Sequence, residues 1–277
     1  MKIALAQMCS GIDPDENARQ LRSLIAEAAA GDAAMIFTPE MTGLLDRDRS
    51  RAAAAIRSES EDVVLLAARS EARQARIWVH LGSLAVKAID SSGQKWLNRS
   101  YLINPDGAIA ARYDKIHLFD VDISPDESQR ESSAYAGGHT AVVSPIPGAT
   151  LGLSICYDLR FPALYEALTN AGADVLSIPA AFTVPTGKAH WEILLRARAI
   201  EAGAFVIASA QCGGHEDGRS TYGHSLVVDP WGEILLDMGE RTGLGFCNLD
   251  LHKIEEVRSR IPAVANRKRF EMPITSP

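Results

Sequence analysis

Leu151-Gly152-Leu153-Ser154-Ile155-Cys156-Tyr157-Asp158-Leu159-Arg160-Phe161-Pro162 passes from an apolar run to a helix-start signal through a single cysteine. The apolar half predicts a strand over Thr150–Ile155. Pro162 is tolerated in a first helical turn and opens a helix predicted over Pro162–Asn170. A cysteine on such a strand-to-helix turn has backbone N–H groups beside it. Those donors and the helix N-terminus lower a thiol's pKa and can bind an oxyanion. Two other segments are built alike, Met35-Ile36-Phe37-Thr38-Pro39-Glu40 and Ala110-Ala111-Arg112-Tyr113-Asp114-Lys115. Each is an apolar strand that ends on a chemically capable residue, and in α/β folds ligands sit outside the carboxyl ends of strands. Glu40 can take a proton, Lys115 can stabilise negative charge, and Cys156 can attack a carbonyl or nitrile carbon.

Outward from these segments, short strands and amphipathic helices alternate along the chain. Strands are predicted over Lys2–Met8, Ala33–Thr38, Ile77–Val86, Trp96–Ile103 and Ala108–Tyr113, with helices over Asn17–Ala30 and Ser58–Arg73. Asp13-Pro14 starts the first helix and Gly31 caps its end. Asn104-Pro105-Asp106-Gly107 turns a hairpin. A polar stretch, Phe119–Thr140, reads as a long loop, and loops of that length inside compact domains are usually functional. Beyond Asn170 come a strand over Asp174–Pro179, a helix over Lys188–Ala202 and a strand over Phe205–Ala210. A hairpin at Asp229-Pro230-Trp231-Gly232, a strand over Gly245–Leu249 and a helix over Leu251–Arg260 follow. With no low-complexity linker and no obvious repeat, the expectation is one domain over residues 1–277, mixed α/β, with helices covering sheet faces.

Composition narrows the function. A chain of 277 residues with 47% hydrophobic and 23% charged residues can bury a sizeable core as an ordinary globular protein. The net charge of −7 argues against nucleic acid or an anionic membrane as the main partner. Arg267-Lys268-Arg269 is one short basic cluster, read as solvated tail charge. No apolar run approaches the roughly 20 residues that span a bilayer, and the first residues read as a strand rather than a signal peptide. Cys9, Cys156, Cys212 and Cys247 are scattered, without a CxxC pair or metal-ligand spacing, so neither a disulfide framework nor a metal site is expected. The expected compartment is a reducing cytoplasm. Cys9, Cys212 and Cys247 lie within or beside apolar runs and read as core residues. The residues alone leave the base open: Glu40 is one choice, and His117, His190 or His224 beside Cys156 is another.

The segments that carry these residues resemble the nitrilase superfamily of carbon–nitrogen hydrolases along nearly the whole chain. Phe37-Thr38-Pro39-Glu40 resembles its glutamate motif. Tyr113-Asp114-Lys115-Ile116-His117-Leu118-Phe119-Asp120 resembles its lysine motif, and Cys156-Tyr157-Asp158-Leu159-Arg160-Phe161-Pro162 its nucleophile motif. The resemblance implies Glu40 as general base, Lys115 as stabiliser of the tetrahedral intermediate, Cys156 as nucleophile and the Tyr157 N–H as oxyanion donor. Glu131-Ser132 fits a second glutamate that orients Lys115. The chain departs from the pattern at Ala136-Gly137-Gly138, where a Pro-Gly is usual, which leaves the conformation of that loop open. The implied fold is a four-layer αββα sandwich. It forms homodimers or larger even assemblies through the Pro162–Asn170 helix and the segment 251–277. The implied chemistry needs no metal and no organic cofactor.

The tyrosine–aspartate pair after the cysteine resembles amidase branches rather than true nitrilases. Ala181-Phe182-Thr183, Thr186-Gly187, Ala189-His190-Trp191-Glu192, Tyr222-Gly223-His224-Ser225 and Val227-Val228-Asp229-Pro230-Trp231-Gly232 are similar to the deaminated glutathione amidase branch. That branch implies a cysteine-dependent amidase acting through a thioester on a small carboxylate-bearing amide. Arg160 and Arg196 are then candidate carboxylate ligands, because arginine holds carboxylates bidentately, and Thr186 and His190 are candidate pocket residues. Rival readings are an ω-amidase acting on 2-oxoglutaramate, a true nitrilase, a thiol hydrolase with a histidine base, and an inactive scaffold subunit.

Overall fold

Alternation along the first strand sorts the layers. In Lys2–Gln7, Ile3 and Leu5 enter one hydrophobic core, while Ala4 and Ala6 enter another on the opposite face. Successive strand side chains point to opposite faces, so one strand separates two cores. The computed structural model describes residues 1–87, 95–124 and 127–271.

The first sheet runs in the order Gly243–Asn248, Lys2–Gln7, Met35–Phe37, Trp78–Lys87, Trp96–Ile103, Ile109–Asp114, and Tyr135–Ala136 pairs beside Trp96–Ile103. The second runs Ile234–Asp237, Leu226–Val228, Phe205–Ala208, Val175–Ser177, Ala149–Leu153, Val142–Ile146. The sheets face each other through Ile3, Leu5, Met35 and Phe37 on one side and Leu151, Leu153, Val175 and Phe205 on the other. Helices Pro14–Ala30 and Val63–Ala75 cover the outer face of the first sheet through Leu21, Ile25, Val64 and Leu65. Helices Pro162–Asn170 and Val184–Ala202 bring Leu164, Leu168, Trp191 and Leu195 into the core with the second sheet. The architecture is the four-layer αββα sandwich. Each buried large apolar side chain contributes about 1.5–3 kcal/mol, so the two cores stabilise the whole stack.

Both sheets contain three parallel strands at their centre, Lys2–Gln7, Met35–Phe37 and Trp78–Lys87 in one and Ala149–Leu153, Val175–Ser177 and Phe205–Ala208 in the other. Helices join them as crossovers, so each half is a βαβαβ unit and the cleft residues follow strand carboxyl ends.

Several boundaries differ from the sequence expectation for local reasons. The helix expected from Ser58 begins at Val63, where the Asp62 carboxylate accepts the Val64 and Leu65 N–H groups. The helix expected from Lys188 begins at Val184, because Pro185 sits in the first turn, where it costs no hydrogen bond. Gly31 does cap the first helix, but at φ −85° and not in the left-handed region. The expected loop Phe119–Thr140 is largely ordered backbone: the hairpin Asp120–Ser124/Glu127–Arg130, a 3-10 turn Glu131–Ser133 and the short strand Tyr135–Ala136. Its main-chain pairing needs no apolar alternation, which is why polarity alone read as loop. Strand Val142–Ile146 escaped because Pro145 interrupts its pattern; it lies at a sheet edge, where proline is tolerated. Residues 272–277 of the expected subunit-contact segment lie outside the described residues.

Candidate active site

Glu40 sits three residues beyond Met35–Phe37, on a loop braced from all sides. Thr42 Oγ1 donates to the Pro39 carbonyl at 2.7 Å, and Gln211 Nε2 donates to the Glu40 carbonyl at 3.0 Å. Gly82 lies directly beneath, where a Cβ would collide with the Thr38 and Pro39 carbonyls. The Glu40 carboxylate is buried and accepts three hydrogen bonds: from Lys115 Nζ at 2.8 Å, Asn98 Nδ2 at 2.9 Å and the Ala181 N–H at 3.0 Å.

Lys115 follows Ile109–Asp114, and its own N–H donates to the Asn98 carbonyl at 2.9 Å. Its ammonium bridges Glu40 and Glu131, the latter at 2.9 Å. Burial pushes the lysine down, yet the carboxylates of Glu131 and Glu40 outweigh it and leave its pKa well above the usual value. Glu131 also accepts the Phe119 N–H at 2.7 Å and Asn98 Nδ2 at 3.1 Å. The conformation that the sequence left open at Ala136-Gly137-Gly138 is set by Gly138. The returning chain crosses the lysine strand, the Gly138 N–H donates to the Lys115 carbonyl at 2.8 Å, and a Cβ at 138 would strike the Asp114 carbonyl.

Cys156 opens a 3-10 helix, Cys156–Arg160, with φ +49°, a strained value for a residue with a side chain. Its N–H is taken by the Pro179 carbonyl at 2.9 Å. The next N–H, on Tyr157, lies in the first turn and has no acceptor upstream within the helix. The sequence expectation of a lowered thiol pKa is overturned. Burial raises it well above the usual value, the Glu40 charge adds to this, and Lys115 opposes it only in part. The resting nucleophile is therefore a thiol that must hand its proton to a neighbour as it attacks.

Asp158, wholly buried, accepts from the Tyr113 hydroxyl at 2.7 Å, the His117 N–H at 3.0 Å and the Ile155 N–H at 2.9 Å, and pairs with His117 Nδ1 at 2.7 Å. Tyr113 and His117 flank Lys115, so one carboxylate joins the lysine strand to the cysteine turn. The three histidines weighed as bases are engaged elsewhere. His117 stacks on Phe161, with ring centroids 3.6 Å apart, while His190 Nδ1 lies 3.2 Å from Arg160 and His224 Nδ1 3.0 Å from Asp237.

These groups open into a cleft of about 1040 Å3, its mouth included, lined among others by Glu40, Lys115, Glu131, Cys156, Tyr157 and Phe182. Of the substrate candidates, Arg160 and Thr186 line it, with the Arg160 guanidinium over the Phe182 ring at 5.6 Å. His190 stands behind Arg160 rather than in the cleft. Arg196 lies away from it, because its helix face turns to the neighbouring hairpin: Nε donates to the Gly232 carbonyl at 2.9 Å and Nη1 pairs with Glu192 at 3.3 Å. Sequence reasoning missed Asn98, which bridges the two glutamates, and the role of Asp158. An asparagine next to the apolar Trp96-Leu97 at the start of the strand Trp96–Ile103 was the available signal for the first.

The family model described as carbon-nitrogen hydrolase matches residues 2–259. Over 270 residues the chain is 40% identical to the deaminated glutathione amidase of Rattus norvegicus, covering 96% of this chain and 82% of that one. It is similar to the crystal structure of the C. elegans NitFhit protein with a TM-score of 0.88 and 37% identity, over 96% of this chain and 65% of that chain. It is also similar to the amidase of Nesterenkonia sp. AN1, at 27% identity and TM-score 0.77, over 95% and 98% of the two chains. That enzyme was solved as a glutamate-to-glutamine variant after Michael addition of acrylamide at its active-site cysteine.

Proposed function

Because this chain belongs to the carbon–nitrogen hydrolase family, we propose that Cys156, Glu40, Lys115 and Glu131 carry its amidase chemistry, with deaminated glutathione as substrate and a thioester as intermediate. The observation that carries the reading is the Lys115 ammonium held between Glu40 at 2.8 Å and Glu131 at 2.9 Å, in the cleft that Cys156 lines.

The steps balance on these groups. The Glu40 carboxylate takes the Cys156 proton as sulfur attacks the amide carbon, and the carbonyl oxygen becomes an oxyanion. Lys115 Nζ and the Tyr157 N–H receive that charge; losing one such donor typically costs about 10²–10³-fold in rate. Glu40 returns its proton to the leaving nitrogen, the C–N bond breaks, and an acyl thioester remains on Cys156. Water then gives a proton to Glu40 and attacks the thioester, releasing a carboxylic acid and restoring the thiol. Glu131 and Asn98 hold Lys115 and Glu40 in place throughout and are positioning residues.

The acyl half of deaminated glutathione is 2-oxoglutaryl, which ends in a carboxylate. We assign that carboxylate to Arg160, which lines the cleft as Thr186 does. The relatives named deaminated glutathione amidase support this substrate. We read residues 1–277 as one domain that pairs into an even-numbered homo-oligomer through the Pro162–Asn170 helix and the C-terminal segment. Ile193 and Ile200, exposed on the neighbouring helix, support an apolar contact on that side. The proposed setting is a reducing cytoplasm, in keeping with four free cysteines.

Amine or ammonia release by the wild type and Cys156→Ala over deaminated glutathione, 2-oxoglutaramate, aliphatic amides and nitriles tests the reading. Cys156-dependent turnover fastest on deaminated glutathione is expected; preference for 2-oxoglutaramate would move the assignment to an ω-amidase.

A further inference from the structure

The cleft is lined by five arginines, Arg47, Arg49, Arg130, Arg160 and Arg219, and they are not equivalent. Arg130 is committed to Asp122 at 2.7 Å, and Arg49 donates to the Arg130 carbonyl at 3.0 Å. Arg160 belongs to the cysteine turn. Arg47 and Arg219 stand on a different wall, built by the segment that continues from Glu40 and by the turn of the Cys212–Gly214/Ser220–Tyr222 hairpin.

That wall is constructed around one buried carboxylate. Asp217 Oδ2 accepts the Arg47 N–H at 2.9 Å and Arg219 Nε at 2.6 Å, and Oδ1 accepts the Arg219 N–H at 3.0 Å. Among the described residues only Nε of the Arg219 side chain is engaged, and Arg219 lines the cleft. Gly218, at φ +85°, lets the Arg47 guanidinium lie where a Cβ would sit. Among the described residues Arg47 makes no side-chain ion pair, although Arg219 and Arg51 each do. The other charge on this wall, Asp46, is held by Arg51 through two bonds at 2.6 and 2.9 Å. The wall therefore presents net positive charge beside an acidic catalytic centre.

The reaction gives this wall a direction. The acyl carbon must lie beside Cys156, and the chain leads from that residue to Arg160. The leaving nitrogen must lie beside Glu40, and the chain leads from there through Leu44 and Leu45 to Arg47. We propose that Arg47, with Arg219, binds the terminal carboxylate of the leaving amine, and so selects amides whose amine half is a short peptide ending in a free acid. The proposal rests on the amidase reading above and deepens it. Two guanidiniums suit one carboxylate because the fork geometry matches its oxygens. Apolar Leu44 and Leu45 suit the body of the leaving group, and Glu40 and Glu131 keep both substrate carboxylates away from the middle of the cleft.

The test measures kcat/KM for deaminated glutathione, for the same compound with its glycine end as a carboxamide, and for 2-oxoglutaramate. The wild type should prefer the free acid to the carboxamide about tenfold or more, as expected for a charged hydrogen-bonded contact. Arg47→Ala should collapse that preference towards one, mainly through KM, and Arg47→Lys should keep part of it. Arg47 is exposed, and turnover of 2-oxoglutaramate reports that the variant is folded. Equal loss on acid and carboxamide, or an unchanged preference, would overturn the assignment while leaving the substrate reading intact. A wild type that cleaves 2-oxoglutaramate but not deaminated glutathione would sink the substrate reading and this inference together.

Discussion

The Tyr113 hydroxyl donates to Asp158 at 2.7 Å, across the boundary between the two sheets. Tyr113 lies two residues before Lys115 and Asp158 two after Cys156, so this bond sets the spacing of the ammonium and the sulfur. Burial and the adjacent Asp158 charge push the tyrosine far above its usual range, so it remains a donor at every working pH.

Asp158→Asn should keep the fold and slow acylation, by roughly 10–100-fold, because an ångström of misplacement at the reacting atoms is costly. Asp158→Ala leaves several buried donors unpaired and should cost about 3 kcal/mol in addition. Urea unfolding midpoints and single-turnover amine release separate the two effects. Wild-type acylation in Asp158→Asn would contradict the positioning role.

Glu40→Gln removes the charge that helps to raise the Cys156 thiol, so the thiol pKa should fall. Alkylation by iodoacetamide, which reads the thiolate, should reach its plateau at lower pH than in the wild type. Amide turnover should nevertheless drop by about 10²–10⁴-fold, since the proton acceptor is gone. Parallel loss of alkylation and turnover would argue that Glu40 activates sulfur in some other way.

Glu131 is one of the two carboxylates that keep Lys115 protonated. In Glu131→Gln the lysine pKa should fall, which moves the basic limb of the kcat profile to lower pH and reduces kcat at its optimum. A group raised in the folded state stabilises fully below its unfolded pKa and loses that stabilisation as pH rises through the folded value. The wild type should therefore lose this stabilisation as pH rises past about 10.5, while the variant, with less of it to lose, should show a shallower fall in melting temperature over the same range.

His80 is buried in the first sheet, with Ser177 Oγ 3.3 Å from Nε2, and burial drives its pKa down to about 3. The unfolded chain binds a proton near pH 6.5 that the folded chain refuses, so stability should fall as pH drops below 6.5. The slope from this one group is at most about 1.4 kcal/mol per pH unit, down to pH 3. Urea titrations at pH 7 and 5 should show a shallower pH dependence in His80→Leu; identical slopes would contradict it.

Glu40, Lys115 and Cys156 were legible because strand periodicity is local, and each follows an apolar run that can be recognised without its partners. The four layers followed from the resemblance, while the alternation of Ile3 and Leu5 against Ala4 and Ala6 supplied the physics. Asn98 was not legible: its significance lies in facing Glu40 and Glu131, which come from remote segments. Arg196 misled because its composition suits a carboxylate ligand, while the helix face it occupies is fixed by packing of Trp191 and Leu195. The thiol pKa was misjudged because helix-start donors are visible in sequence, whereas the Glu40 charge and the burial of Cys156 are products of the fold.

The central claim, that Cys156 carries the acyl group, is tested most directly by acid-quenching the wild type during turnover of deaminated glutathione and mapping the adduct by mass spectrometry. The account predicts a 2-oxoglutaryl adduct on the peptide containing Cys156, absent in Cys156→Ala along with turnover. Turnover that persists in Cys156→Ala, or an acyl group found on another residue, would contradict it.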